Sequence, residues 1–310
     1  MDKSIFSSFT GYFNYNYYQT RKWGMLVTVI MVWGLLSCGM DNDPEAAGKE
    51  LFDNDNLVAW CIVPFDAMER SPKERAAMLE DLGFTKMAWD WRMEHIETLP
   101  EEIESLQGRG IELAAVWLWL DRHASQGLQP HHHQIFDAVG ESGLETTYWV
   151  SFGNDFFEGL TCDEKVENAA NAISLVHDRV RGDRGRIALY NHMDWFGEPE
   201  NQIRIIEKLG RDSIGIVYNF HHAHHQVKDF PRLLEMMMPY LYTVNLNGMR
   251  IDGPKILDLG SGDLEAGMIR TLAESGFKGT IGILGHTEGE DIEKVLLRNL
   301  VGLERIREQL

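Results

Sequence analysis

From Leu57 onward the chain alternates short apolar runs with longer stretches whose apolar positions recur at intervals of three and four. The runs are Leu57–Val63, Thr85–Trp89, Ile111–Leu118, Thr147–Phe152, Arg186–Tyr190, Ile214–Asn219, Tyr240–Leu246 and Thr280–Leu284. They are nearly continuous rather than alternating, the pattern of parallel strands covered on both faces. The stretches between them read as amphipathic helices. Pro72–Leu82 has proline in its first turn and Gly83 as its stop, and Glu198–Leu209 and Ile292–Ile306 carry the same periodicity. A strand-to-strand spacing of roughly 26 to 40 residues leaves room for one crossover helix per unit. Eight such units in series predict an α/β protein with a single (β/α)8 TIM barrel over residues 57–310. A doubly wound open sheet is the alternative, but no GxGxxG follows the first strand.

The segment ahead of the barrel is patterned differently. Trp23–Leu36 is an apolar stretch of fourteen residues preceded by Arg21 and Lys22. A membrane span needs about 20 residues, so this length suits the apolar region of a signal peptide. The stretch ends in Leu35-Leu36-Ser37-Cys38, which resembles the lipobox of bacterial lipoproteins. That resemblance implies a lipidated Cys38 as the mature amino terminus. The expected organisation is a signal peptide at 1–37, then Cys38 and a flexible acidic linker at 38–56, then the barrel. An uncleaved signal anchor is the alternative. The address predicts a protein of the bacterial cell envelope, in the periplasm or at the surface, that meets the bilayer through its lipid only.

Charge narrows the partners. Twenty-nine Lys and Arg against 48 Asp and Glu give a formal charge of −19. A chain that neutralises phosphates needs a basic face, so nucleic acid is excluded as a partner, as is polybasic contact with anionic lipid. The three cysteines make no disulfide framework: Cys38 belongs to the lipobox, Cys61 falls inside a predicted strand as a buried thiol, and Cys162 opens a helix.

In a barrel of this kind, catalytic residues come from the carboxyl ends of the strands and the loops after them. The second strand runs into Asp90 and Arg92, the third into Trp119, and the fifth into Asn191, His192 and Trp195. The sixth ends in Asn219 and the run His221-His222-Ala223-His224-His225, the seventh in Asn245 and Asn247, and the eighth in His286. Tryptophans beside carboxylates and amides suit a sugar, whose apolar face packs on indole while its hydroxyls meet fixed donors and acceptors. Trp91, Trp119 and Trp195 are expected beyond their strands and so in the site. His192, His222, His224, His286 and Asp90 are the candidate catalytic residues, with Arg92 expected to lower the pKa of Asp90. Arg92, Trp119, Asn191, Trp195, Asn219, Asn245 and Asn247 are the candidate substrate contacts. His131-His132-His133 reads as a solvated triplet, and Asp263, after the Gly-rich loop Lys255–Asp263, as a helix cap.

The segments IALYNHMDWFGEPEN, IVYNFHHAHH, VNLNGM, ILDLGSGD and GTIGILGHT carry a wider similarity. On them the chain, over about residues 57 to 308, resembles the xylose isomerase-like TIM barrels, the superfamily of sugar-phosphate isomerases and epimerases. The resemblance implies a divalent metal held by acidic and histidine residues at the strand ends. Position by position, the strand-five Glu corresponds to Tyr190, with Asn191 and His192 retained. The strand-six Asp corresponds to Asn219, while its His matches His222. The strand-seven His corresponds to Asn245, and the strand-eight Glu falls at about Leu284. Neutral groups stabilise a hard cation poorly, so the family metal site is expected not to be intact, leaving His222 and His224 as the only candidate ligands. No cofactor is predicted, although a divalent metal is possible.

The expectation is therefore a carbohydrate-active isomerase, epimerase or lyase that abstracts a proton next to a carbonyl of a small carbohydrate. A sugar-binding lipoprotein without catalysis is the alternative.

Overall fold

In the computed structural model, which describes residues 48–192 and 194–310, the apolar runs close into one parallel barrel in sequence order. The strands are β1 (Leu57–Trp60), β2 (Lys86–Trp89), β3 (Glu112–Leu120), β4 (Thr147–Phe152), β5 (Arg186–Tyr190), β6 (Ile214–Asn219), β7 (Leu241–Leu246) and β8 (Thr280–Leu284). Each is followed by a helix: α1 (Pro72–Asp81), α2 (Leu99–Gln107), α3 (Pro130–Ser142), α4 (Cys162–Val180), α5 (Pro199–Leu209), α6 (Phe230–Met237), α7 (Glu265–Glu274) and α8 (Ile292–Arg307). Closure is made by β1 against β8, from Leu57 opposite Ile281 to Trp60 opposite Leu284. The expected signal peptide, Cys38 and most of the linker lie outside the described residues. Among the described residues no helix is long and apolar enough to cross a membrane.

Because successive strand side chains point to opposite faces, the strands build two separate cores. One residue set, including Ala59, Met87, Val116, Val150, Leu189 and Ile283, packs outward against the helices. The alternate set fills the barrel, where small Ala88, Ala115 and Ala188 leave room for Trp60, Trp149 and Tyr190. Trp60 and Trp149 meet edge to face with centroids 4.8 Å apart, and Trp149 stacks on Tyr190 at 6.1 Å. Burying each indole removes on the order of 200 Å² from water, at most about 5 kcal/mol apiece. The barrel centre is solid, and the site is confined to its ends.

Helix starts follow local sequence. Ser71 and Glu74 form a reciprocal capping box at α1, and Thr161 and Glu164 do the same at α4. Between α1 and α2, buried Arg75 donates to the carboxylate of Glu102 from Nε at 3.1 Å and from Nη2 at 3.2 Å.

Several local expectations are corrected. The first strand ends at Trp60 rather than Val63, because Cys61 reverses the backbone and the next two amides turn to Asp90. The third strand reaches Leu120, so Trp119 belongs to the strand rather than to the loop beyond it. His132 is not solvated: it is fully buried, its Nε2 meets the carbonyl of Trp119 at 2.9 Å, and its Nδ1 accepts the amide of Gln129. Asp263 does not cap α7. Leu264 stands at the cap position with no side-chain cap bond, and Glu265, the first helical residue, accepts the amides of Gly262 and Leu264 ahead of the helix.

A depression of about 650 Å³ lies at the amino ends of the strands among Arg186, Tyr242 and Lys278. Chemistry in this fold belongs at the other end.

Candidate active site

The mouth at the carboxyl ends of the strands begins with Cys61. Its φ of 57° lies in the left-handed region, costly for a residue with a β-carbon. The reversal aims the amides of Ile62 and Val63 at Asp90, which stands immediately after β2. Asp90 Oδ1 accepts both, at 3.2 and 3.1 Å, while its Oδ2 is buried with no hydrogen-bond partner among the described residues. Burial outweighs the amide bonds and the field of Arg92, so the carboxyl is pushed up to about 6. The expected downward pull of Arg92 exists but loses to desolvation.

Tyr190, the last residue of β5, lines the same mouth. Its hydroxyl accepts from Nε1 of Trp60 at 3.2 Å and from the side-chain amide of Asn219. Two accepted bonds leave its own proton to be donated elsewhere. Burial, reinforced by Cys61, holds the phenol well above its ordinary range, so it remains a neutral donor.

Asn219, which ends β6, is itself fixed by Asn191. Asn191 Oδ1 accepts the backbone amide of Asn219 at 2.6 Å, and Asn191 Nδ2 donates to the backbone carbonyl of Asn219 at 3.1 Å. With its nitrogen on Tyr190, Asn219 offers Oδ1 to Nδ1 of His221 at 2.7 Å. In that arrangement Nδ1 carries the proton, and Nε2 of His221 is the acceptor.

Four imidazoles converge: His192, His221, His222 and His286. Ring centroids are 4.6 Å apart for His192 and His222, 3.7 Å for His221 and His222, and 6.1 Å for His221 and His286. Burial lowers His192 to about 4 and His221 to about 3, with the neighbouring imidazoles adding to the shift of His221. His222 is driven lower still and His286 is lowered too, both chiefly by burial. At neutral pH all four are uncharged, and each presents one donor and one acceptor. Phe65, tilted against His286 with ring centroids 3.8 Å apart and with Arg92 5.3 Å above its own ring, forms part of the rim. The enclosed space is small, about 120 Å³.

The metal-binding set implied by the resemblance does not fit these residues. The strand-five and strand-six positions hold Tyr190 and Asn219, whose polar atoms bond to each other. Asn245 is fully buried inside the barrel and Leu284 belongs to its apolar filling. Among the described residues, no group of three or more His, Cys, Asp or Glu has the arrangement to hold a metal ion.

Of the candidate residues, the fold brings Asp90, Arg92, His192, His222 and His286 into one mouth. Asn191 and Asn219 stand behind them as supports. Asn247 spends its Nδ2 on the carbonyls of Gly248 and Lys255, both at 2.8 Å. His224 does not line the mouth, and its Nε2 meets the carbonyl of Arg250 at 2.6 Å. Trp119 sets its ring edge-on to His192 at 5.2 Å, and Trp195 lines a neighbouring cavity. Sequence reasoning passed over Trp60, Cys61 and Tyr190 as site members, and it left Phe65 and His221 at their strand ends without a role. The alternation within β5, with Ala188 and Tyr190 facing inward, is the signal that could have found Tyr190.

Similar folds occur among solved structures. A 3-keto-D-glucoside 4-epimerase from E. coli superposes with a TM-score of 0.63 at 12% identity, covering 82% of this chain and 99% of that one. The IolI protein with a bound zinc atom gives 0.60 at 13% identity, covering 82% and 98%. A D-psicose 3-epimerase with D-tagatose, from Clostridium cellulolyticum H10, gives 0.58 at 12% identity over the same shares. The chain thus has the barrel fold of these proteins. No protein-family model and no curated protein sequence matches it.

Proposed function

We propose that the protein is a sugar isomerase or epimerase that moves a proton on the carbon next to a carbonyl, using its own side chains as base and electrophile. The observation that carries this is Asp90: one oxygen is pinned by two backbone amides, the other is buried and unpartnered among the described residues, and the residue lines one mouth with four neutral imidazoles. A base near pH 7 needs such a raised carboxyl. In the reaction, the C–H bond breaks, its proton goes to Asp90, and the electron pair moves to the carbonyl oxygen as an enediolate. The hydroxyl of Tyr190 and an imidazole N–H of His222 stabilise that oxygen. Passing the proton of the neighbouring hydroxyl to the enediolate oxygen, and returning the abstracted proton from Asp90 to the former carbonyl carbon, completes an isomerisation. The epimerases of the same fold support a small carbohydrate as substrate.

Ketoses incubated in D₂O test the reading. Wild-type protein incorporates deuterium next to the carbonyl, and Asp90→Asn slows this at least 100-fold. A sugar that binds and is recovered without deuterium makes the protein a binder instead. Export and lipidation at Cys38 belong to the same reading, on the strength of the lipobox-like segment alone. Labelled palmitate should enter the wild-type chain and not Cys38→Ala.

A further inference from the structure

Beside the mouth lies a second cavity of about 270 Å³, bounded by the loops after β4 and β5. Its walls include Asn154, Phe157, Lys165, Asp194 and Trp195, and none of these reaches the mouth. One side chain, His192, lines both spaces. Trp119 backs this shared wall: its ring meets His192 edge-on at 5.2 Å, and it lies 3.6 Å from where a β-carbon on Gly153 would stand. Ligand pockets measure about 300 Å³ or more. The mouth and the side cavity each fall short of that, and the two volumes taken together pass it.

The chemistry of the side cavity is that of a sugar ring. Trp195, packed on Phe157 at 5.1 Å, offers a half-buried aromatic surface. The ammonium of Lys165 stands 5.5 Å from the indole centroid, with Asn154 and Asp194 on the same walls to meet hydroxyls. Asp194 is held at a φ of 48°, which a non-glycine residue adopts only under local constraint. We infer that the substrate is a two-ring glycoside, with the ring that carries the carbonyl in the mouth and a second sugar ring in the cavity beside Trp195. The link between the rings passes His192. This inference rests on the proton-transfer reading above and adds the size of the substrate to it.

The test compares fructose with three two-ring ketoses, lactulose, turanose and palatinose, by deuterium exchange in D₂O. At least one two-ring ketose should show a kcat/KM tenfold or more above that of fructose. Trp195→Ala and Lys165→Met should each reduce this preference below threefold. Equal kcat/KM for all four sugars, or a preference that survives both substitutions, overturns the inference. If no sugar exchanges deuterium, the catalytic reading has failed by itself. Calorimetric binding of the same four sugars then decides the cavity: tighter binding of a two-ring sugar, lost in Lys165→Met, supports it, and equal or absent binding overturns it.

Discussion

Asn245 occupies the space that a side chain at position 282 would need: a β-carbon there would lie 1.7 Å from Asn245 Oδ1. The two residues face each other in register across β7 and β8, and both amide atoms of Asn245 are buried without a partner among the described residues. Glycine at 282 therefore admits a polar group into the barrel interior. Gly282→Ala should destabilise the fold by about 1–3 kcal/mol, the usual cost of overpacking. Combined with Asn245→Ala the loss should be less than additive, because the second change removes the clashing amide. Urea unfolding of the two single variants and the double variant measures the coupling. Strict additivity would show that the two side chains do not compete for this space.

Asp90 links activity to pH in one direction and stability in the other. Its carboxyl is raised from 3.8 to about 6, so the ionised base accumulates as pH rises through about 6, and exchange activity should climb there. For stability the sign reverses. The native state holds the proton more tightly than the unfolded chain, so stability present below about 4 is lost as pH rises through 6. A shift of about two units corresponds to about 3 kcal/mol. Asp90→Asn, which keeps an acceptor for the two amides, should therefore be more stable than wild type at pH 8 by about 1–3 kcal/mol and nearly equal to it at pH 4. A flat difference between pH 4 and pH 8 would contradict the raised carboxyl.

The histidines oppose this at the acid end. His132, His192 and His221 are lowered from 6.5 to between about 3 and 4, and His222 is lowered further, all chiefly by burial. Each contributes stability that is present above 6.5 and lost as pH falls from there toward its folded value. At pH 5 four such groups take up protons on unfolding, against the one that Asp90 releases. The melting temperature should fall between pH 7 and pH 5, and His132→Gln should flatten that fall without touching the mouth. A melting temperature that rises on acidification would mean that Asp90 dominates.

How much of this was legible in the sequence depends on the length scale of the cause. The strands were readable because parallel strands covered on both faces leave continuous apolar runs, and β4, β5, β6 and β8 begin and end as the pattern predicts. Asp90, His192, His222 and His286 were readable because they follow strands directly. Cys61 and Tyr190 were not. The part played by Cys61 depends on a backbone reversal that only Asp90, across in the neighbouring unit, makes worthwhile. Tyr190 has the pattern of ordinary strand filling, and only the bonds from Trp60 and Asn219, distant in sequence, orient its hydroxyl. His224 misled for the converse reason: adjacency in sequence to His222 says nothing of which way a turn after the strand faces.

The ion pair of Arg75 and Glu102 separates the cost of breaking a contact from its net value. Both side chains are at most 5% exposed, so the carboxylate has no water to fall back on. Removing one partner strands the other charge. Glu102→Gln should therefore cost about 3–5 kcal/mol, and Arg75→Met a similar amount. Taking both charges out of water was expensive to begin with, and apolar residues of similar volume need not meet that cost. The double variant Arg75→Met, Glu102→Leu should recover most of the loss and can exceed wild-type stability by about 1 kcal/mol. Because the pair joins α1 to α2 on the outside of the barrel, deuterium exchange by the folded double variant should match wild type. A double variant as unstable as the single ones would mean that the bidentate hydrogen bonds, rather than charge balance, hold these two helices together.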